Sequence, residues 1–177
     1  MSDSDDACPE ENTRQSEHSP SVVADGERLA RYIYLNEQVN LDTRELKTGA
    51  FALDDLIEPD RKGLSFDRLE HVTREEVERR GAEFAARKLQ GEFHGLAVNT
   101  ASAVRSITDD NNVRMLGVID DGMINNIAHS LAVQSKKLRD RALGHRQLRV
   151  ALKPVRERLM DLFSPVRAVE EIYESDG

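Results

Sequence analysis

A hydrophobic run that ends in a polar corner constrains this chain more than any other feature. Val113 to Ile119 reads as a core strand, Asp120-Asp121-Gly122 turns it, and Asn125, Asn126 and His129 follow at once. Nowhere else does a candidate core strand lead so directly into residue types suited to chemistry. Beyond the corner two readings stay open. Residues 127 to 134 alternate as a strand does, with His129, Leu131 and Val133 on one face. A helix from Met123 instead aligns Ile124, Ile127 or Ala128, Leu131 and Leu138. The strand is preferred, joined to its predecessor through the Asp-Asp-Gly corner.

The stretches upstream supply partners for it. Tyr32-Ile33-Tyr34-Leu35 marks a strand within 28–39, because aromatic and β-branched side chains suit a pleated, half-buried surface. Arg31 beside it is read as a solvated edge charge, with anion binding as the alternative. In Gly63 to Leu69, Leu64, Phe66 and Arg68 alternate with Ser65 and Asp67. A Ser-Asp pair on one face can orient a ligand or a proton; the structural alternative is a salt bridge between Asp67 and an arginine. Thr73-Arg74-Glu75-Glu76 is a capping box. The helix that it opens is expected to reach about Gln90, with Gly91 as its stop. Strand 93–98, helix 101–107 and strand 113–119 point to a crossover and to parallel pairing.

Charge is distributed unevenly. Residues 1–25 hold seven acidic side chains against Arg14 alone, a net of −6. Between Lys136 and Arg158, nine bases face only Asp140 and Glu157, a net of +7. The leader has almost nothing apolar to bury, so disorder is expected, with folding back onto a basic surface as the alternative. The basic stretch reads as helical, broken at Pro154, with a second short helix to Phe163. These boundaries give a single α+β domain. A disordered acidic leader (1–25) precedes an α+β core (26–134) with a small mixed sheet and packed helices. A basic helical segment (135–165) and an acidic frayed tail (166–177) follow.

Composition narrows the functional classes. A formal charge of −8 argues against uniform nucleic-acid or anionic-membrane binding. One cysteine, Cys8, rules out an internal disulfide, and it reads as an incidental leader thiol. No apolar run reaches the ~18 residues of a membrane span, and nothing resembles a signal peptide, so a cytoplasmic location without membrane contact is expected. Phosphate loops, dinucleotide fingerprints and nucleophile elbows are missing. His18, His71, His94, His129 and His145 lack metal-motif spacing, so neither a metal nor another cofactor is expected.

Two constellations remain. His129 is a candidate general acid or base, since imidazole titrates near neutral pH. Asp120 or Asp121 orients it, Asn126 donates to an oxyanion, Ser65 acts as nucleophile beside Asp67, and Arg68 and Arg105 hold a phosphate or carboxylate. The structural alternative is a buried, merely hydrogen-bonded histidine. The second constellation is Lys136, Lys137, Arg139, Arg141, Arg146 and Arg149, a surface for an acidic protein or a nucleic acid. Its alternative is a solvated helix whose charge is balanced within the chain.

GLSFDR (63–68), Ala103-Val104-Arg105, VIDD (118–121) and Asn126-Ile127-Ala128-His129 together resemble a pattern, GLSxDR, then VR, then NxAH, in small uncharacterised bacterial proteins. The resemblance spans roughly 28 to 134 and implies that these positions form one unit. It carries no activity, and the basic extension lies outside it. The leading expectation is an accessory protein that engages an acidic partner through 136–158. The alternative is a small hydrolase or transferase on a phosphate-containing substrate, with His129 as its acid or base.

Overall fold

Strict side-chain alternation builds a sheet with two covered faces. The computed structural model describes residues 7–175. Its strands are β1 (Arg28–Ile33), β2 (Leu64–Arg68), β3 (Gly95–Thr100), β4 (Leu116–Asp120) and β5 (His129–Gln134). Its α-helices are α1 (Asp54–Ile57), α2 (Arg74–Ala86), α3 (Ala101–Arg105), α4 (Lys136–Asp140), α5 (His145–Phe163) and α6 (Val169–Ser175). The strands pair in the order β3-β1-β2-β5-β4, every pair antiparallel. The fold class is therefore α+β, but the sheet is antiparallel rather than mixed.

On one face, Leu29, Ile33, Leu64, Phe66, Leu116 and Val118 pack with Leu152, Val155, Leu159 and Phe163 of α5. Phe163 lies edge-on to Phe51, ring centroids 5.7 Å apart, and 5.3 Å from Phe66. Each such buried side chain contributes about 1.5–3 kcal/mol. On the other face, Ala30, Tyr32 and Leu96 pack with Val77 of α2 and with Val169 and Ile172 of α6.

Several expectations change. β3 and β4 do run in the same direction, yet they are the two edges of the sheet, so no parallel pair forms. α3 follows one edge strand and lies against the other, which requires a strongly curled sheet. The hydroxyl of Thr73 accepts the Glu76 amide at 3.3 Å, but α2 stops at Ala86. The chain then folds back so closely that a Cβ on Gly91 would sit 2.2 Å from the carbonyl oxygen of Ala85. Pro154 does not break the basic helix: α5 runs through it, since Pro154 is on the exposed side while Leu152, Val155 and Leu159 keep their spacing on the core. The acidic tail is not frayed over 169–175, where α6 buries Val169 and Ile172 and Tyr173 donates to the carbonyl of Val72 at 3.1 Å.

The leader is the largest difference. From Cys8 to Ser16 it follows the free edge of β4, and Ser19 to Asp25 then reach Arg68 of β2 and Arg105 of α3; Ala7, Cys8, Ser19 and Val23 are buried. A Cβ on Gly117 would stand 2.2 Å from the sulfur of Cys8, so only glycine admits this approach. Polar contacts replace the missing apolar mass. Glu11 accepts from the Val118 amide at 2.6 Å, from Arg105 at 2.8 Å and from Arg114 at 2.5 Å. Covering an edge strand in this way also removes a template for pairing with other chains. Residues 1–6 of the expected disordered leader, and 176–177 of the tail, lie outside the described residues.

Candidate functional site in the gap between β1 and β2

The site exists because two neighbouring strands part company. β1 pairs with β2 only at Leu29–Arg68 and Ala30–Asp67, while it follows β3 to Ile33 and β2 follows β5 to Leu64. Arg31 bridges the resulting gap, donating Nε to the carbonyl of Ala50 and Nη1 to that of Ser65, both at 2.9 Å. Over the gap lies a cavity of about 390 Å³ whose lining includes Arg31, Tyr32, Ser65, Asp67, Asn126 and His129. Phe84 of α2 and Met123 wall it.

Asp67 holds the floor together. Its Oδ2 accepts from the Tyr32 hydroxyl at 2.7 Å and from Arg80 Nη1 at 2.8 Å, and its Oδ1 accepts from Asn126 Nδ2 at 2.9 Å. Burial, then the Asp67 charge, pushes the Tyr32 phenol above its usual range. Burial opposes the charge on Arg80, but Asp67 and Tyr32 outweigh it and hold the guanidinium protonated more firmly than usual. A carboxylate so engaged is an organiser of its neighbours. The salt bridge weighed for Asp67 is present, although its arginine comes from the covering helix.

His129 stands directly across from Asp67 on β5 and therefore on the same face. Its Nδ1 is 2.9 Å from Asp121 Oδ2, and both side chains are largely buried. An ionised carboxylate only accepts, so Nδ1–H is the donor in this contact; in the neutral ring Nε2 then carries the lone pair. Asp120 points the opposite way and takes the backbone amides of Gln15 and Ser16 at 2.9 and 3.0 Å. The corner between them closes by reciprocal 2.9 Å backbone bonds between Met123 and Asn126, which aims the Asn126 amide at Asp67. Ser65 is exposed, and its hydroxyl makes no hydrogen bond among the described residues. It pairs with Leu131, so His129 is its diagonal neighbour.

Ser65, Asp67, Asn126 and His129 thus converge. Arg68 and Arg105 do not. Alternation turns Arg68 to the opposite face, where it is fully buried against both oxygens of Glu27 at 2.8 Å and the carbonyl of Ser21 at 2.8 Å. Arg105 is held by Glu11 and Asp25, each at 2.8 Å. The basic surface is balanced within the chain in part. Lys136 pairs with Asp140 and Arg139 with Glu10 of the leader, while Arg141 pairs with Asp109 and Arg149 with Asp54, both at 2.6 Å. Lys137 and Arg146 have no ion-pair partner among the described residues. Asp54, Glu58 and His145 bring potential metal-ligating atoms within 4.8 Å of one another at the surface. Arg149 already supplies a cation there.

Tyr32 and Arg80 join the site without having been among the candidates from sequence. Arg80 carries a signal: it falls between Val77 and Phe84 on the apolar stripe of α2, where an arginine needs a buried partner. Tyr32 carries none, since a strand tyrosine is ordinarily a core residue with a wet tip.

Fold and pocket define a small α+β protein whose antiparallel sheet opens at a cavity lined by polar and aromatic side chains. The chain matches no protein-family model, no curated protein and no solved structure. No helix among the described residues is long and apolar enough to cross a membrane.

Proposed function

We propose that the protein is a small hydrolase or transferase in which His129 is the general base and then the general acid. One observation carries this reading: the 2.9 Å contact of His129 Nδ1 with Asp121 in the wall of a cavity that also holds Ser65. In the neutral ring this contact favours the Nδ1–H tautomer, with Nε2 as the acceptor. In the proposed reaction, Nε2 takes the proton of the Ser65 hydroxyl as Oγ attacks the acyl or phosphoryl centre. The leaving alkoxide then collects that proton from Nε2. Water repeats the sequence and frees Ser65, or a second alcohol does so in a transfer. Asn126 donates one amide N–H to Asp67 and has another for a developing oxyanion.

Assay of p-nitrophenyl acetate and p-nitrophenyl phosphate against wild type and H129N tests the reading. Turnover of either substrate, reduced about 100-fold or more in a folded H129N, is the expected result. Equal rates in the two proteins would overturn it. The phosphate preference expected with Arg68 and Arg105 loses its basis, because both are engaged by the leader and by Glu27. Binding of an acidic partner through 136–158 loses four of that segment's nine cations, Lys136, Arg139, Arg141 and Arg149, to internal pairs.

A further inference from the structure

We infer that Arg31 is the anchor for an anionic group on the ligand of this pocket, a carboxylate or a phosphate. This deepens the proposed function by naming the substrate's charge.

The charges around the cavity are paired, with one exception. Asp67 is matched by Arg80 at 2.8 Å. Asp55, which also lines the cavity, is matched by Arg61 at 3.3 Å. Asp121 lies outside the cavity lining and accepts from Nδ1–H of the neutral His129 ring at 2.9 Å, a hydrogen bond and not a charge pair. Arg31 alone has no salt bridge to any described residue, although it is half-buried in the same wall. Its guanidinium lies over the Phe51 ring, 5.6 Å from the centroid. Burial pulls its proton affinity below the usual arginine range, only partly offset by the more distant Asp55 and by Tyr34. A partly desolvated cation with no carboxylate in contact is costly to keep, and a bound anion lowers that cost.

Geometry points the same way. Of five guanidinium N–H groups, two are used, by Ala50 and Ser65, and these two hold the plane still. The remaining three form a fixed fork suited to a carboxylate or phosphate. One bond ends on the Ser65 carbonyl, so the guanidinium sits against the backbone of the proposed nucleophile. The aromatic wall of Tyr34 and Phe84, stacked at 5.6 Å, suits an unsaturated or apolar body on the ligand.

The test is titration of benzoate and of inorganic phosphate into the full chain, followed through the Arg31 Nε–Hε resonance in ¹H–¹⁵N spectra. Wild type and H129N are expected to show saturable shifts at Arg31, with affinity reduced about tenfold or more in R31Q. Response to benzoate alone assigns a carboxylate, and response to phosphate alone a phosphate. Silence at Arg31 with both anions overturns the inference, as do shifts confined to the cations of α4 and α5, or an unchanged affinity in R31Q. The wild-type spectra decide the matter even if R31Q fails to fold. Loss of turnover in H129N with no anion response at Arg31 leaves the acid–base reading standing and removes this one alone. An Arg31 response in a chain whose turnover ignores H129N does the reverse.

Discussion

Asp67 and Arg80 are 13 positions apart in sequence and 2.8 Å apart in space, with side chains only 4% and 10% exposed. This buried pair ties the pocket floor to its covering helix. Removing one member strands the other charge. Arg80→Met is therefore expected to cost about 3–5 kcal/mol in urea denaturation. Asp67→Asn combined with Arg80→Met should cost less than the sum of the two single changes, because no lone charge remains. Additive losses would mean that the pair is not coupled.

Glu11 acts for the leader as Asp67 does for the pocket. Its carboxylate serves Arg105, Arg114 and the free edge of β4 at Val118. Glu11→Ala should destabilise by about 3 kcal/mol and leave two poorly solvated arginines. Amide exchange at Val118 should accelerate by two or more orders of magnitude. Unchanged protection there would show that the leader does not hold this edge.

Cys8 reports on the same attachment without perturbing it. Burial, reinforced by Glu11 and Glu10, pushes its thiol from 9.0 up to about 12. Thiolate is the reactive form, so alkylation by iodoacetamide at pH 8 should be slow in the native chain. In urea the rate should rise to that of an ordinary thiol, and Glu11→Ala should raise it under native conditions. Fast alkylation of the native wild type would contradict the packing of Cys8 on Gly117.

Acid should release another contact. The Arg141 side chain, then the Val113 amide, holds the Asp109 carboxyl below its ordinary value of 3.8. A depressed folded value means that the stabilisation is complete above the unfolded value and disappears as pH falls through the folded one. Stability near neutrality should therefore be flat with respect to this group and decline below about pH 4. Asp109→Asn should remove part of that decline, as measured by thermal unfolding between pH 2 and 7. An identical profile would remove Asp109 from the account.

How much was legible follows from the range of the interactions involved. Alternation in Leu64–Arg68 is a period of two, so sequence alone separates Ser65 and Asp67 from Arg68. The same rule separates Asp121 from Asp120, and it favoured a strand through His129. What escaped depends on contacts distant in the chain. The leader lacks the apolar mass that signals order, and it is held instead by partners roughly a hundred positions away, such as Val118 and Asp120. An unstructured leader leaves Arg68 and Arg105 available for a ligand; the ordered one engages both. Direction was correctly suggested for β3 and β4, but nothing local says that three strands lie between them. Arg31 was read as an edge charge because the position of β1 inside the sheet is a property of the topology.

The account rests on His129 having an unprotonated Nε2 turned to the pocket while Nδ1–H is held by Asp121. Long-range ¹H–¹⁵N correlation of the histidine ring, recorded at a pH where His129 is neutral, observes this directly. The predicted spectrum shows a protonated Nδ1 and a lone-pair Nε2, and in Asp121→Asn it moves toward a mixture of tautomers. A protonated Nε2 in the wild type would make the pocket-facing nitrogen a donor, unable to take a proton from Ser65, and would contradict the account.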